Sequence, residues 1–161
     1  MGFAPEVTPN LQALADTVAH TEGTDRVPDP YRCCEGYTHT IVSFADHPYP
    51  TEWGGSKISS GRYAGELTTA AGKYQINHPT FIAMKAQLRT TGFAPEVQDD
   101  MFVQLLKDHG AFAFVTQGKL EAALPLLANT WASLPGGGSG QREFLLGEVI
   151  ELYRQKGGEL A

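Results

Sequence analysis

The hydrophobic pattern of the chain changes period along its length. Leu11, Leu14, Ala15, Val18 and Ala19 recur at spacings of three and four, the repeat of one helix face. Thr8 is placed to cap this helix, and Pro9 suits its first turn. Carrying the stripe onward from Val18 reaches Glu22, and Gly23 supplies a C-terminal stop. The pattern thus sets a carboxylate at a helix end, on or beside the face that packs inward.

From about Thr24 to Gly72 the chain is rich in Gly, Pro, Ser and Thr, with short strand-like runs. Tyr37 to Phe44 reads as a strand through its Thr, Ile and Val residues. Asp46-His47-Pro48 reads as a turn, and Ile58 to Tyr63 as a weaker strand interrupted by Ser59-Ser60-Gly61. This is a hairpin-bearing lobe whose loops suit a functional site. Helical periodicity then resumes over Pro79–Leu88, Pro95–Gly110 and Leu120–Leu134, with Pro125 forcing a kink or a late start in the last. A break at Pro135-Gly136-Gly137-Gly138-Ser139-Gly140 precedes a final helix, Gln141–Lys156, which Gly157 and Gly158 close. Gly2-Phe3-Ala4-Pro5-Glu6-Val7 recurs as Gly92 to Val97. The flanks differ, so both copies read as leads into helices rather than as a domain repeat. The fold class is α+β and mostly helical.

Composition narrows the function. The 161 residues carry 12 Lys+Arg against 18 Asp+Glu, a net charge of −6. That balance argues against a polyanion-binding module and gives no polybasic grip on an anionic membrane. At 42% hydrophobic the chain is neither disordered nor fibrous, and its length suits one domain. Residues 1–22 contain no Lys or Arg and no continuous apolar stretch. No secretory signal is therefore expected, and synthesis in the cytoplasm is. Gly110–Val115 and Ala122–Ala128 are too short to span a bilayer. Adjacent Cys33 and Cys34 are poorly placed to bridge each other, and read as reduced thiols.

Several chemistries are open on residue type alone. A carboxyl on the apolar edge of a helix loses solvation, which raises its pKa and keeps a proton available for general acid catalysis. Glu22 is the candidate; an ordinary surface glutamate in a last helical turn is the alternative. Asp25, Glu35, Asp46 and Glu66 are near enough in sequence to supply a second carboxylate. No G-x-S-x-G elbow or phosphate loop occurs, and the Gly-rich stretch at 136–140 is not preceded by a strand. A zinc site would have to draw on His39, His47, His78 or His109 with Cys33 or Cys34; no H-E-x-x-H and no helical pair of His supports it, and no metal or other cofactor is expected. Tyr37, Tyr63, Tyr74, Gln75, Trp131 and Gln141 are the residue types that line sugar clefts, with aromatic faces for rings and amides for hydroxyl and N-acetyl groups.

Thr21-Glu22-Gly23-Thr24-Asp25, Gly36-Tyr37, Asp46-His47-Pro48, Ala71-Gly72-Lys73-Tyr74-Gln75, Gln98-Asp99 and Trp131-Ala132-Ser133-Leu134-Pro135-Gly136 stand in one order. This ordered set resembles the phage lambda endolysin family, the lambda-type lytic transglycosylases of the lysozyme-like superfamily, over nearly the whole chain. The resemblance implies a lysozyme-like fold, a small β-hairpin lobe at about 24–72 and a helical lobe flanking a glycan cleft, as one catalytic domain over 1–161 without a separate wall-binding domain. It implies cleavage of the β-1,4 bond between N-acetylmuramic acid and N-acetylglucosamine in peptidoglycan, with 1,6-anhydromuramic ends and no added water. The family's acid falls on Glu22. Tyr37, Tyr74, Gln75, Asp46, Trp131 and Gln141 are the implied substrate-binding positions, though Asp46 suits a structural turn equally well. The implied partners are peptidoglycan strands and a holin-like protein for release, with no nucleic acid and no membrane insertion; a monomer acting on the periplasmic wall is expected. One member of the family has an aromatic where Ser139 stands and a Trp pair where Thr80-Phe81 stands, and Cys33-Cys34 has no evident counterpart. A hydrolytic muramidase, a non-catalytic peptidoglycan-binding or virion module, and a zinc amidase remain the competing readings.

Overall fold

The computed structural model describes residues 8–137 and 143–161. Helix α1 (Pro9–Thr21) begins as its sequence requires: the Leu11 amide donates to Thr8 Oγ1 at 3.4 Å and Pro9 occupies the first turn. Its buried set extends beyond a single stripe, from Leu11 and Leu14 round to Ala13 and Thr17, so α1 is the central helix of the molecule. Glu22 forms its C-cap, and Gly23 leaves it in the left-handed region at φ 81°.

Three single 3-10 turns follow, at Thr24–Arg26, Pro30–Arg32 and Glu35–Tyr37. A two-stranded antiparallel hairpin then pairs β1 (Ser56–Lys57) with β2 (Leu67–Thr68), Ser56 opposite Thr68 and Lys57 opposite Leu67. The helical part comprises α2 (His78–Leu88), α3 (Pro95–Asp108), α4 (Phe112–Thr116), α5 (Leu120–Leu127) and α6 (Leu146–Gln155). The structure superposes a small hairpin on a mostly helical body, as the α+β assignment anticipates.

Four boundaries depart from the sequence pattern. Tyr37–Phe44 is not a strand; only Thr40 pairs, in a single bridge to Cys33. Side chains take the main-chain groups a partner strand would have used. Arg32 donates to the carbonyls of Ile41 and Val42, and Glu52 accepts the amides of Val42 and Ser43. The hairpin lies outside Ile58–Tyr63, which forms its tip. Helix α5 ends at Leu127, shortly after Pro125 has removed one of its amide donors. Helix α6 begins at Leu146, where Glu148 reaches back to the Leu145 amide; the first residues of the predicted helix, Gln141 and Arg142, lie outside the described residues. The short helix α4 between Gly110 and Gly118 has no counterpart in the sequence reading.

The core runs through both parts. Tyr74 stacks on Phe102 with centroids 4.5 Å apart, and Phe102 packs against Trp131. The Trp131 indole donates to the Tyr74 carbonyl at 2.8 Å. Gln98, fully buried on α3, ties three segments together: its Oε1 accepts the Lys73 amide, and its Nε2 donates to the carbonyls of Tyr31 and Phe93. Gly72, at φ 79°, lies so close that a Cβ there would stand 2.3 Å from Gln98 Oε1.

Replacing Gln98 by Leu strands a main-chain donor and two acceptors in the interior. A loss of about 3 kcal/mol of unfolding free energy is expected, read from the urea midpoint. A midpoint equal to the parent's would show that Gln98 does not hold these segments.

Candidate active site

Glu22 stands where α1 ends. Its amide donates to the Val18 carbonyl at 2.8 Å, completing the helix. The Tyr37 hydroxyl donates to the Gly23 carbonyl at 2.7 Å, and Thr24 Oγ1 reaches the carbonyls of Ala19 and Lys73. The left-handed φ at residue 23 requires glycine, and a side chain there would also press on the Tyr37 hydroxyl that braces the turn. The turn carrying the carboxyl is thus fixed from both sides.

The carboxyl lines a cavity of about 470 Å³ between the end of α1, the Glu35–Thr38 segment, the β1 hairpin from Ser56 to Ser60, and Ser133. Within it, Ser133 Oγ donates to Glu22 Oε2 and lies 3.0 Å from Thr21 Oγ1, whose own hydroxyl donates to the Val18 carbonyl at 3.2 Å. Burial pushes the Glu22 pKa up to about 7, with Glu35 adding like-charge repulsion and the Ser133 hydroxyl and amide partly opposing it. Its position at the negative end of the helix dipole also disfavours ionisation. Glu35 shares the cavity, and burial raises its pKa as well.

The other candidate residues separate into groups. Tyr37 is 52% exposed and braces the Glu22 turn through its hydroxyl; its backbone is left-handed, at φ 58°. Its neighbours Gly36 and Thr38 line the cavity, while the Tyr37 ring lines a second, more apolar hollow with Val27, Cys33 and His39. Tyr74 is buried, with its hydroxyl donating to Asp99 at 2.6 Å, and Trp131 is buried beside it. Neither offers a free face to a sugar ring in the Glu22 cavity, and both serve the core there. Gln75 donates to the carbonyls of Cys33 and Gly72. Asp46 accepts the His47 amide, the structural-turn alternative, and does not line the cavity. Gln141 lies outside the described residues.

The nearby carboxylates also sort. Asp25 pairs with His20 at 2.7 Å, and neither Asp46 nor Glu66 lines the cavity, so Glu35 is the one of the four that faces Glu22 there. The residues considered for zinc are dispersed among other tasks. His39 pairs with Glu52, His47 uses one ring nitrogen on the Ile76 carbonyl and the other on the Tyr49 amide, and His109 contacts Thr130. Among the described residues no three His, Cys, Asp or Glu side chains form a metal-type group. Cys33 and Cys34 are buried free thiols, and burial pushes their pKa values to about 11 and about 12. No helix among the described residues is long and apolar enough to cross a membrane.

Ser133 and Thr21 carry no mark in the sequence as partners of Glu22. Thr21 precedes Glu22 on the same helix, which makes proximity legible; Ser133 arrives from far along the chain.

Comparison with known proteins identifies the family and the fold. The family model described as Endolysin matches residues 12–160. The chain belongs to the endolysin family. The Endolysin of Escherichia phage P2 is 32% identical over 157 residues, covering 92% of this chain and 93% of that protein. The Endolysin of Escherichia phage lambda is 30% identical over 158 residues, covering 95% and 94%. This endolysin also shares its fold with the lysozyme from bacteriophage lambda. The complex of that lysozyme with a chitohexasaccharide superposes with a TM-score of 0.82 at 28% identity, covering 98% of this chain and 100% of that one. A second structure of the lambda lysozyme superposes at 0.79 with 27% identity and the same coverage.

The raised pKa of Glu22 makes a stability prediction. The folded endolysin holds this proton up to about pH 7, whereas a solvated glutamate side chain titrates near 4.5. Between these values folding takes up a proton, so the Glu22 contribution weakens stability as pH rises. Glu22→Gln removes that cost and is expected to stabilise the fold at pH 8 by about 2 kcal/mol while changing little near pH 4. Urea unfolding at both pH values tests it; a variant no more stable than the parent at pH 8 contradicts the burial argument.

Proposed function

We propose that this endolysin cleaves the β-1,4 bond between N-acetylmuramic acid and N-acetylglucosamine in bacterial peptidoglycan by lytic transglycosylation. The observation that carries this is a carboxyl lining an open cleft with its proton held to about pH 7. The likeness to a lysozyme complexed with a chitohexasaccharide supports a glycan in that cleft.

The chemistry needs one proton and one carboxyl. Protonated Glu22 donates to the bridging oxygen as the bond to the muramic anomeric carbon breaks and oxocarbenium character develops. The resulting carboxylate takes the proton of the sugar's own 6-hydroxyl, whose oxygen closes on the anomeric carbon. The products are an N-acetylglucosamine end and a 1,6-anhydromuramic end, and Glu22 finishes protonated with no water consumed. The substrate's N-acetyl group assists at the anomeric carbon, so no protein nucleophile is required.

One observation favours a second reading. Glu35 faces Glu22 in the same cavity, and a second carboxylate there is placed to activate water for hydrolysis of the same bond. Cellular release fits an enzyme made in the cytoplasm, away from its substrate, and freed to the periplasmic wall by a holin-like partner.

Two experiments test the proposal. Glu22→Gln is expected to lower activity on purified sacculi by at least about 10³-fold with the fold retained; clearing at near the parent rate contradicts Glu22 as the acid. Mass spectrometry of parent digests is expected to show anhydromuramic ends that do not incorporate oxygen-18 from labelled water. Labelled reducing ends would replace this mechanism by hydrolysis, and Glu35→Gln would then abolish them.

A further inference from the structure

The proposed chemistry asks Glu22 to act twice, as acid and then as base, and the two carboxyl oxygens are not equivalent. Oε2 is held by the Ser133 hydroxyl, whereas no side-chain donor among the described residues reaches Oε1, and the Ser133 main-chain amide also favours the carboxylate. Behind Ser133 stands Thr21, 3.0 Å away and, like Ser133, only 7% exposed.

We propose that Ser133, backed by Thr21, is a positioning residue for Glu22. It holds Oε2 so that Oε1 carries the reacting proton, and it steadies the charge that develops on the carboxyl as that proton leaves. The inference deepens the proposed function and rests on its assignment of Glu22 as the acid.

Ser133 has one hydroxyl proton and lies within reach of two oxygens, Glu22 Oε2 and Thr21 Oγ1. If the proton of Glu22 sits on Oε2, it donates to Ser133, Ser133 to Thr21, and Thr21 to the Val18 carbonyl. That chain is complete but turns the proton away from the cleft. If the proton sits on Oε1, or has left, the chain reverses: Thr21 donates to Ser133 and Ser133 to Oε2. The reversal strands nothing, because the Val18 carbonyl keeps the Glu22 amide at 2.8 Å. The reversed chain serves the acid presented to substrate and the carboxylate that follows without further rearrangement. Its final bond strengthens as charge accumulates on Glu22, so it acts chiefly in the transition state.

A donor that favours the carboxylate also sets the direction of a pH effect. Removing Ser133 Oγ weakens the ionised form more than the neutral acid, so Glu22 should hold its proton to higher pH. The activity profile's limb that reports Glu22 should move upward. Removing Thr21 Oγ1 leaves the Ser133 bond in place and should have a smaller effect.

The test measures kcat, KM and the pH profile on soluble uncross-linked glycan strands for the parent, Ser133→Ala, Ser133→Thr and Thr21→Val, each checked for folding by its thermal transition. Ser133→Ala is expected to lower kcat about 10- to 100-fold with KM little changed and the Glu22 limb displaced upward. Ser133→Thr should recover most of the rate, and Thr21→Val should lose only severalfold. A parent-like kcat and profile in Ser133→Ala overturns the proposal. So does a lowered rate with an unmoved limb and no recovery in Ser133→Thr, which would mark a merely structural role. If Ser133→Ala fails to fold, a severalfold loss in Thr21→Val beside a near-parent rate and limb in Ser133→Thr supports the assignment, and Thr21→Val at the full parent rate overturns it. Reducing ends in the parent's products would overturn the transglycosylase mechanism alone, because hydrolysis needs the same acid and the Ser133 readouts stand apart from product chemistry.

Discussion

The proposed chemistry depends on keeping one carboxyl poorly solvated at the end of a buried helix. Burial of α1 on nearly all sides brings Glu22 out of water, and the helix dipole gives the carboxylate no help there. Such a group is a standing cost to stability at neutral pH, which a fold retains only where the group is used. The rest of the site limits that cost without abolishing it. Ser133 supplies one hydroxyl, enough to order the carboxyl and too little to ionise it fully at neutral pH.

The remaining architecture serves to make that position reproducible. Gly23 turns the chain, Tyr37 and Thr24 lock the turn, and Gln98 ties the segment around Lys73 to α3 and to the loop at Tyr31. Trp131 hangs from the Tyr74 carbonyl and so fixes the start of the loop that delivers Ser133. Tyr74 and Trp131 thereby bear on the site through placement of backbone from within the core.

The legible part of the site was the local part. Thr8, Pro9, the apolar stripe and Gly23 lie within one helix, and they place Glu22 before any tertiary contact is known. The hairpin lies elsewhere than the sequence pattern sets it because β-propensity at Ile41 and Val42 competes with side-chain bonds from Arg32 and Glu52 that no local pattern announces. Helix α4 is not legible in the sequence because five residues between two glycines carry too little periodicity to distinguish helix from loop. Aromatic type alone could not separate cleft from core, and Tyr74 and Trp131 went to the core. Ser133 was beyond reach for a different reason: its function exists only once the chain has closed on Glu22 from the far end of the helical part.

The family resemblance and the physical reading meet at the same residue from independent directions, one from an ordered set of motifs, the other from desolvation at a helix end. The decisive property is the protonation of Glu22 in the free protein. Carbon-13 NMR of the side-chain carboxyls, with Glu22→Gln to assign the resonance, measures it directly. The account predicts a midpoint near pH 7 for Glu22. A midpoint in the ordinary carboxylate range, near 4.5, would contradict it.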